Sequence, residues 1–133
     1  MSQRARGPFE VKLNPLPAEH NVGDASISRF ALDKQFHGDL EAASKGQMLA
    51  SNPNANGSGG YVAIERVTGT LHDRKGSFTL QHTGTMTRGK PELTVTVVPD
   101  SGTDELTGLT GTLKITIEGG KHAYEFEYTM GKG

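Results

Sequence analysis

Hydrophobic and polar residues alternate along most of this chain, most clearly in the stretch Tyr61–Thr87. In its first half the odd-numbered positions are apolar or small except for Glu65, and in its second half the even-numbered positions are so except for His82. A period of two is typical of a β-strand with one face on a core and the other in water. The pattern therefore predicts two long strands joined by a polar turn at His72–Gly76.

Matching the apolar faces of these two strands predicts how they pair. Leu71 is expected opposite Phe78 and Val67 opposite His82, because a slip of one residue would turn Phe78 towards solvent. Glu65 and His82 then share the inner face as diagonal neighbours, with backbones about 7–8 Å apart. Two ionisable groups on an apolar face are the most informative feature of the sequence.

The rest of the chain predicts six further strands. They are Gly7–Leu13, Ser26–Phe36, Gly38–Ala50, Leu93–Val98, Leu109–Ile117 and His122–Met130. A helix also fits Gly38–Ala50, but small residues on one face are what a tightly curved barrel uses, which favours a strand. Loops are predicted at Asn14–Gly23, at Ser51–Gly60, which we expect to be flexible, and at Asp100–Gly108, where capping spacing indicates a helical turn.

The predicted fold class is all-β, a single eight-stranded antiparallel barrel of calycin-like type. Consecutive antiparallel strands with one apolar face avoid exposed edges best by closing on themselves. One domain over residues 1–133 fits the chain length. A barrel of eight strands has an interior just large enough for side chains or for one small ligand.

Composition excludes several classes of function. A formal net charge of −1 provides no basic field for nucleic acid or for an anionic membrane. The chain has no cysteine, which removes disulfides and thiolate chemistry and fits a reducing, cytoplasmic location. Without an N-terminal apolar run or a segment of ~18 apolar residues, we expect neither a signal peptide nor a membrane span. The five histidines lack metal-ligand spacing, so we expect no metal and no cofactor.

Glu65 and His82 are the candidate catalytic residues. One interpretation is an acid–base pair in a cavity, with the two pKa values separated by burial. The other is a satisfied interior polar network, or an ion pair of Glu65 with Arg66 or Arg88 at the barrel rim. A register that turned Arg66 inward in place of Glu65 would remove the pair.

Aromatic and apolar residues of the same inner face are candidate ligand-binding residues. They are Tyr61, Phe78, Leu80, Tyr124, Phe126 and Tyr128. Tyrosine hydroxyls in an apolar wall are suited to orient a bound molecule. The alternative is that these rings simply fill the core.

Three blocks of the sequence resemble one family. They are Phe36–Glu41, Glu65–Gly84 with its Gly-Thr-Leu and Gly-Ser-Phe-Thr-Leu runs, and Val97–Leu109. The chain is similar to a bacterial family of uncharacterised small proteins, a domain of unknown function grouped with allene-oxide-cyclase-like barrels. The resemblance implies an eight-stranded barrel and no established activity. Allene oxide cyclases bind an apolar fatty-acid epoxide inside the barrel with help from a glutamate and a water, but their motif is not matched here residue by residue.

Three hypotheses for function follow. The first is a cytoplasmic barrel that binds a small apolar or amphipathic molecule in its interior. The second is an isomerase or cyclase type of enzyme that uses Glu65 and His82, so enzymatic activity is left open. The third is a filled barrel whose outer face forms a homo-oligomer. Binding requires a cavity of roughly 300 Å³ or more, and catalysis requires that the cavity contact both ionisable residues.

Overall fold

The computed structural model describes residues 2–17, 24, 26–51 and 54–131. Its strands are β1 (Gln3–Leu16), β2 (Ile27–Phe36), β3 (Leu40–Ser51), β4 (Gly59–Leu71), β5 (Arg74–Thr87), β6 (Lys90–Val97), β7 (Leu109–Glu118) and β8 (Lys121–Met130). Each strand pairs with the next in antiparallel orientation, and β8 pairs with β1, so the sheet closes. The predicted eight-stranded antiparallel barrel is confirmed.

Helical structure is minimal in the described part of the chain. It amounts to one 3₁₀ turn, Asp104–Leu106, between β6 and β7. The helical turn predicted within Asp100–Gly108 is therefore confirmed, although Thr103 precedes it as the N-cap residue. Among these residues no helix has the length and apolar character needed to cross a bilayer.

Alternation along the strands places one face of each inside the barrel, as the period of two requires. The apolar core comprises Ala5, Phe9, Phe36, Leu40, Ala42, Val67, Leu71, Phe78, Leu80, Val95, Val97, Leu106, Leu109, Leu113, Tyr124, Phe126 and Tyr128. Most of these side chains come from the half of the barrel that contains the β2–β3 and β4–β5 turns. We call this the filled half.

Ring stacking and a close loop contact fill that half. Phe126 stacks on Phe78 and on Tyr128, with ring centroids 5.8 and 5.3 Å apart. Leu106 of the 3₁₀ turn is fully buried and belongs to the same core. The segment before it approaches so closely that a Cβ on Gly76 would lie 2.3 Å from the backbone oxygen of Thr103. Side chains and the loop before β7 therefore fill this end of the barrel.

The turn between β4 and β5 is tighter than predicted. It consists of His72 and Asp73 alone, with φ angles of 43° and 67°. Two consecutive positive φ angles are typical of the type I′ turn, whose twist matches that of the flanking strands. Leu71 pairs directly with Arg74. The predicted turn, which extended to Gly76, was too long.

The tighter turn also corrects the predicted register. Val67 pairs with Phe78, so the predicted pairs of Val67 with His82 and of Leu71 with Phe78 were wrong. The error is an even number of residues, and an even shift leaves every side chain on its predicted face. Glu65 and His82 therefore remain diagonal neighbours on the inner face.

Two predicted loops are shorter than expected. The loop predicted at Asn14–Gly23 begins too early, because β1 stays paired with β2 as far as Leu16; positions 18–23 lie outside the described residues. The loop predicted at Ser51–Gly60 is shorter at both ends, because β3 includes Ser51 and β4 begins at Gly59. Positions 52 and 53 also lie outside the described residues, and the flexibility of this loop stays a prediction.

Candidate functional site

A cavity of about 700 Å³ opens at the end of the barrel opposite the filled half. Its size lies within the range of small-molecule sites. The wall is mainly apolar and includes Phe9, Val11, Leu32, Met48 and Ile115. We call it the barrel cavity.

Small residues on the inner face allow Tyr61 and Glu65 to take their positions in this half of the barrel. A Cβ on Gly84 would lie 2.3 Å from the ring of Tyr61, so the glycine lets the ring lie across the opposite strand. A Cβ on Gly46 would lie 2.6 Å from Cα of Glu65, which means that only glycine admits the glutamate at this level. Ala50 and Gly60 also line the cavity. Several small residues therefore lie on the inner face of this half, whereas Phe78, Phe126 and Tyr128 meet in the filled half.

A buried cluster of polar side chains lies at the inner end of the cavity. Oε2 of Glu65 accepts a hydrogen bond from Nζ of Lys34 at 2.8 Å and lies 2.5 Å from Nε2 of His82. Oε1 of Glu65 accepts a hydrogen bond from the hydroxyl of Ser44 at 2.7 Å. All four residues are buried, and Glu65 is 0% exposed. We call these residues the floor cluster.

The four members of the floor cluster come from β2, β3, β4 and β5. Strands tilt in a barrel, so residues at one height along its axis are diagonal neighbours. Lys34 pairs with Ser44, whereas Glu65 lies diagonal both to Ser44 and to His82. Among the described residues no buried side-chain nitrogen or oxygen lacks a hydrogen-bond partner. Four neighbouring strands of the barrel thus assemble a hydrogen-bonded polar cluster beneath an apolar cavity.

The electrostatics of the cluster keep Glu65 ionised. Burial on its own raises the pKa of this carboxyl, because it disfavours the charged form. The hydrogen bond with His82 and the charge and hydrogen bond of Lys34 outweigh burial and lower the pKa of Glu65 to about 2. The Lys34 ammonium also lies 5.2 and 5.8 Å from the ring centroids of Phe9 and Phe36, within cation–π distance.

Ionised Glu65 determines which nitrogen of His82 carries the proton. A carboxylate has no proton to donate, so Nε2 of His82 must donate to Glu65. Nδ1 is left on the other side of the ring, 3.4 Å from the hydroxyl of Tyr61. Burial and the charge of Glu65 raise the pKa of Tyr61, which keeps this hydroxyl protonated. Lys34, Tyr61 and His82 all line the cavity.

The residues singled out from the sequence divide between the two halves of the barrel. Glu65 and His82 meet in the floor cluster, and Tyr61 lines the cavity. The other five candidate ligand-binding residues do not line it and belong to the apolar core: Phe78, Leu80, Tyr124, Phe126 and Tyr128. Their assignment as ligand-binding residues stays a prediction, and their position favours the alternative that they fill the core.

Sequence reasoning missed Lys34 and Ser44. Lys34 has the same parity as the inner-facing Leu32 and Phe36, and an inward lysine requires a carboxylate partner. That parity was the available signal. The alternative partner Arg66 instead donates to Thr79, Ser77 and the backbone oxygen of Ser101 on the outside of the barrel.

A second polar cluster lies at the filled end, and its residues do not line the barrel cavity. Nδ1 of His72 is 2.5 Å from the hydroxyl of Tyr128, and its Nε2 is 3.6 Å from a carboxylate oxygen of Asp39. The Tyr128 hydroxyl also donates to Gln3 at 3.1 Å. In the parts of the chain described above, no three His, Asp or Glu side chains lie close enough together to hold a metal ion.

Comparison with known proteins places the chain in a family. Residues 5–128 match a family described as a protein of unknown function, DUF3224. A crystal structure of a protein with unknown function from this family, from Shewanella oneidensis MR-1, is 48% identical; the match covers 100% of both chains with a TM-score of 0.92. No curated protein matches the chain. The resemblance to a bacterial family of uncharacterised barrel proteins is thus confirmed, and the chain belongs to the DUF3224 family.

Proposed function

We propose that this protein binds a small amphipathic molecule in the barrel cavity. The observation that carries the proposal is an apolar cavity of about 700 Å³ with polar groups at its inner end. Apolar walls supply most of the binding free energy in such sites, while a few placed polar groups set orientation. The polar head of the ligand lies against Lys34, Tyr61 and His82, and its apolar part extends towards the mouth.

Exposed apolar side chains at the mouth support this orientation. Leu13, Met86, Leu93 and Ile117 line the cavity and are between 41% and 62% exposed. Large apolar side chains grouped around an opening are typical of a binding surface. An amphipathic ligand would cover them with its tail, whereas a fully polar ligand would leave them in water.

A pair of tryptophan variants on β3 tests the proposal. Ala50 lines the cavity, whereas its neighbour Leu49 lies on the outer face and is 43% exposed. We expect Ala50→Trp to weaken binding of the fluorescent amphiphile 1-anilinonaphthalene-8-sulfonate at least about tenfold, because the indole occupies the cavity. We expect Leu49→Trp, the matched control, to bind as the wild type does. Equal binding by both variants would contradict the proposal.

A second candidate function is proton-transfer catalysis of the isomerase or cyclase type. The 2.5 Å contact between Nε2 of His82 and Glu65 favours it, because it orients the imidazole so that Nδ1 lies on the side of the Tyr61 hydroxyl, and an unprotonated Nδ1 is suited to act as a general base. In this mechanism His82 takes the proton. Glu65 orients the imidazole, since both of its oxygens are occupied within the cluster.

Hydrogen–deuterium exchange tests the catalytic candidate without knowledge of the natural substrate. A ketone bound in the cavity, decan-2-one, would lose a proton from the carbon next to its carbonyl to His82 and regain a deuteron from D₂O. We expect the wild type to accelerate this exchange and His82→Gln to lose about 10²-fold or more of the acceleration. Wild-type and variant rates that are equal would exclude His82 as the base.

The remaining expectations stay predictions. The outer face of β3 and β4 presents Leu49, Val62 and Ile64, each at least 43% exposed, as a homo-oligomer would require. The open cavity argues against a barrel filled throughout. A cytoplasmic location rests on the absence of cysteine.

A further inference from the structure

We infer that the floor cluster recognises a carboxylate head group, and that binding of this head group adds one proton to His82. The inference rests on the proposed function and specifies its ligand class. It would make the protein a receptor for an aliphatic carboxylic acid whose tail occupies the barrel cavity.

The hydrogen bonding of Lys34 is the first reason to infer a carboxylate head group. Its ammonium has three N–H donors and no acceptor. Among the described residues Glu65 is the single hydrogen-bond acceptor that contacts it, at 2.8 Å. The ring centroids of Phe9 and Phe36 lie 5.2 and 5.8 Å from Nζ, and an aromatic ring is a much weaker partner for an N–H group than an oxygen is. Lys34 lines the cavity, and its ammonium has N–H donors that Glu65 does not use. Such a lysine favours a ligand that is an anion or another strong acceptor.

The second reason is that the carboxylate of Glu65 is not accessible to a ligand in the cavity. Its two oxygens already receive hydrogen bonds from Lys34, Ser44 and His82. The side chain is 0% exposed, so no cation in the cavity reaches it. A cationic head group would therefore meet the Lys34 ammonium without a carboxylate to balance it.

The charge balance of the floor cluster links binding to a proton. With His82 neutral, the charges of Lys34 and Glu65 cancel, and a ligand carboxylate would bring one uncompensated negative charge into a buried site. A proton on Nδ1 of His82 restores neutrality. The imidazolium then donates from Nε2 to Glu65 and from Nδ1 to the ligand, so that positive and negative groups alternate.

The groups around His82 come from three strands, β2, β4 and β6. Glu65 and Tyr61 contact it from β4, Lys34 of β2 contacts the same oxygen of Glu65 as it does, and the residue paired with it on β6 is the uncharged Val95. Glu65 stays ionised and Tyr61 stays protonated near neutral pH. The ring of His82 lines the cavity with Nδ1 on the side away from Glu65, and this geometry is why the inference assigns the added proton to Nδ1. His122 and Glu92 line the cavity farther out, at the mouth.

Calorimetry with a matched pair of ligands tests the inference. Decanoic acid and decan-1-ol share the same tail and differ in the head group. We expect the wild type to bind decanoate at least about tenfold more tightly than decanol, because hydrogen bonds to charged groups are stronger. Titrations at pH 8 in phosphate and in Tris, which differ in ionisation enthalpy, should show uptake of about one proton per decanoate and none per decanol.

Two variants assign the effect to the floor cluster. The double variant Lys34→Met with Glu65→Gln keeps the cluster neutral, and we expect it to lose the preference for decanoate over decanol. In His82→Gln the amide can still donate to Glu65, and we expect decanoate binding without proton uptake.

Each result decides between the inference and the proposed function. Decanol that binds as tightly as decanoate, or decanoate binding without proton uptake in the wild type, overturns the inference and leaves the cavity as a binding site. Failure of both ligands to bind overturns the proposed function as well.

Discussion

At the scale of single residues, the floor cluster depends on charges that only the closed barrel brings together. The period of two was enough to predict that Glu65 and His82 share the inner face. It did not identify Lys34 as their partner, because Lys34 lies 31 positions earlier in the chain and reaches Glu65 across an intervening strand. Such a contact follows from strand tilt and closure, which local alternation does not encode.

The low pKa of Glu65 makes stability depend on pH in a defined window. In the folded state this pKa is lowered from 4.5 to about 2. A depressed pKa contributes stability that is present above the unfolded value and is lost as pH falls towards the folded value. The contribution is on the order of 3 kcal/mol, since one pKa unit corresponds to about 1.4 kcal/mol. The wild type should therefore lose free energy of unfolding between about pH 5 and pH 2.

The variant Glu65→Gln tests this window. We expect it to lower the free energy of unfolding at pH 7 by about 3 kcal/mol or more, because it leaves Lys34 buried without its counter-ion. The loss between pH 5 and pH 2 should then be smaller than in the wild type. Urea denaturation at several pH values measures both quantities. The exposed Glu118→Gln is the control, with an expected change within about 0.5 kcal/mol. If the free energy of unfolding of Glu65→Gln falls with pH in parallel with that of the wild type, the loss of stability at low pH does not come from Glu65.

At the scale of secondary-structure elements, face matching predicts which side of a strand is buried but not its register. Registers that differ by an even number of residues bury the same faces. The turn decides between them, and His72-Asp73 is not the Asn-Gly pair that usually signals a type I′ turn. The predicted turn at His72–Gly76 relied on Gly76, which instead lies in β5 where the chain before Leu106 packs against it.

Two substitutions at Asp73 test the role of this turn. Its φ of 67° is one that glycine adopts freely and that a β-branched residue resists. We expect Asp73→Gly to change the free energy of unfolding by less than about 0.5 kcal/mol or to raise it, and Asp73→Val to lower it by about 1–2 kcal/mol. Urea denaturation of the three proteins measures these changes. Equal stability of the two variants would mean that the turn is not of this type in solution.

At the scale of the whole molecule, the sequence is enough to predict that the sheet closes into a barrel. It is not enough to predict where inside the barrel a cavity lies. Eight strands with one apolar face require a closed sheet, so the barrel was predictable. The cavity was not, because it arises from the uneven distribution of large and small inner side chains. Phe78, Phe126 and Tyr128 meet in one half, whereas Gly46 and Gly84 lie in the other. Strand register and tilt determine which inner residues lie at the same height along the barrel axis, and local alternation encodes neither.

We propose the barrel cavity as the binding site of a small amphipathic molecule. An NMR titration of the isotope-labelled protein with decanoic acid tests it most directly, because amide shifts report where the ligand lies. We expect saturable shifts at the wall residues Val11, Leu32 and Ile115 and at Lys34 and His82 of the floor cluster. Amides of the outer-face residues Val62 and Ile64 would then move little. Shifts confined to that outer face, or no saturable shift at all, would contradict binding of the ligand in the barrel cavity.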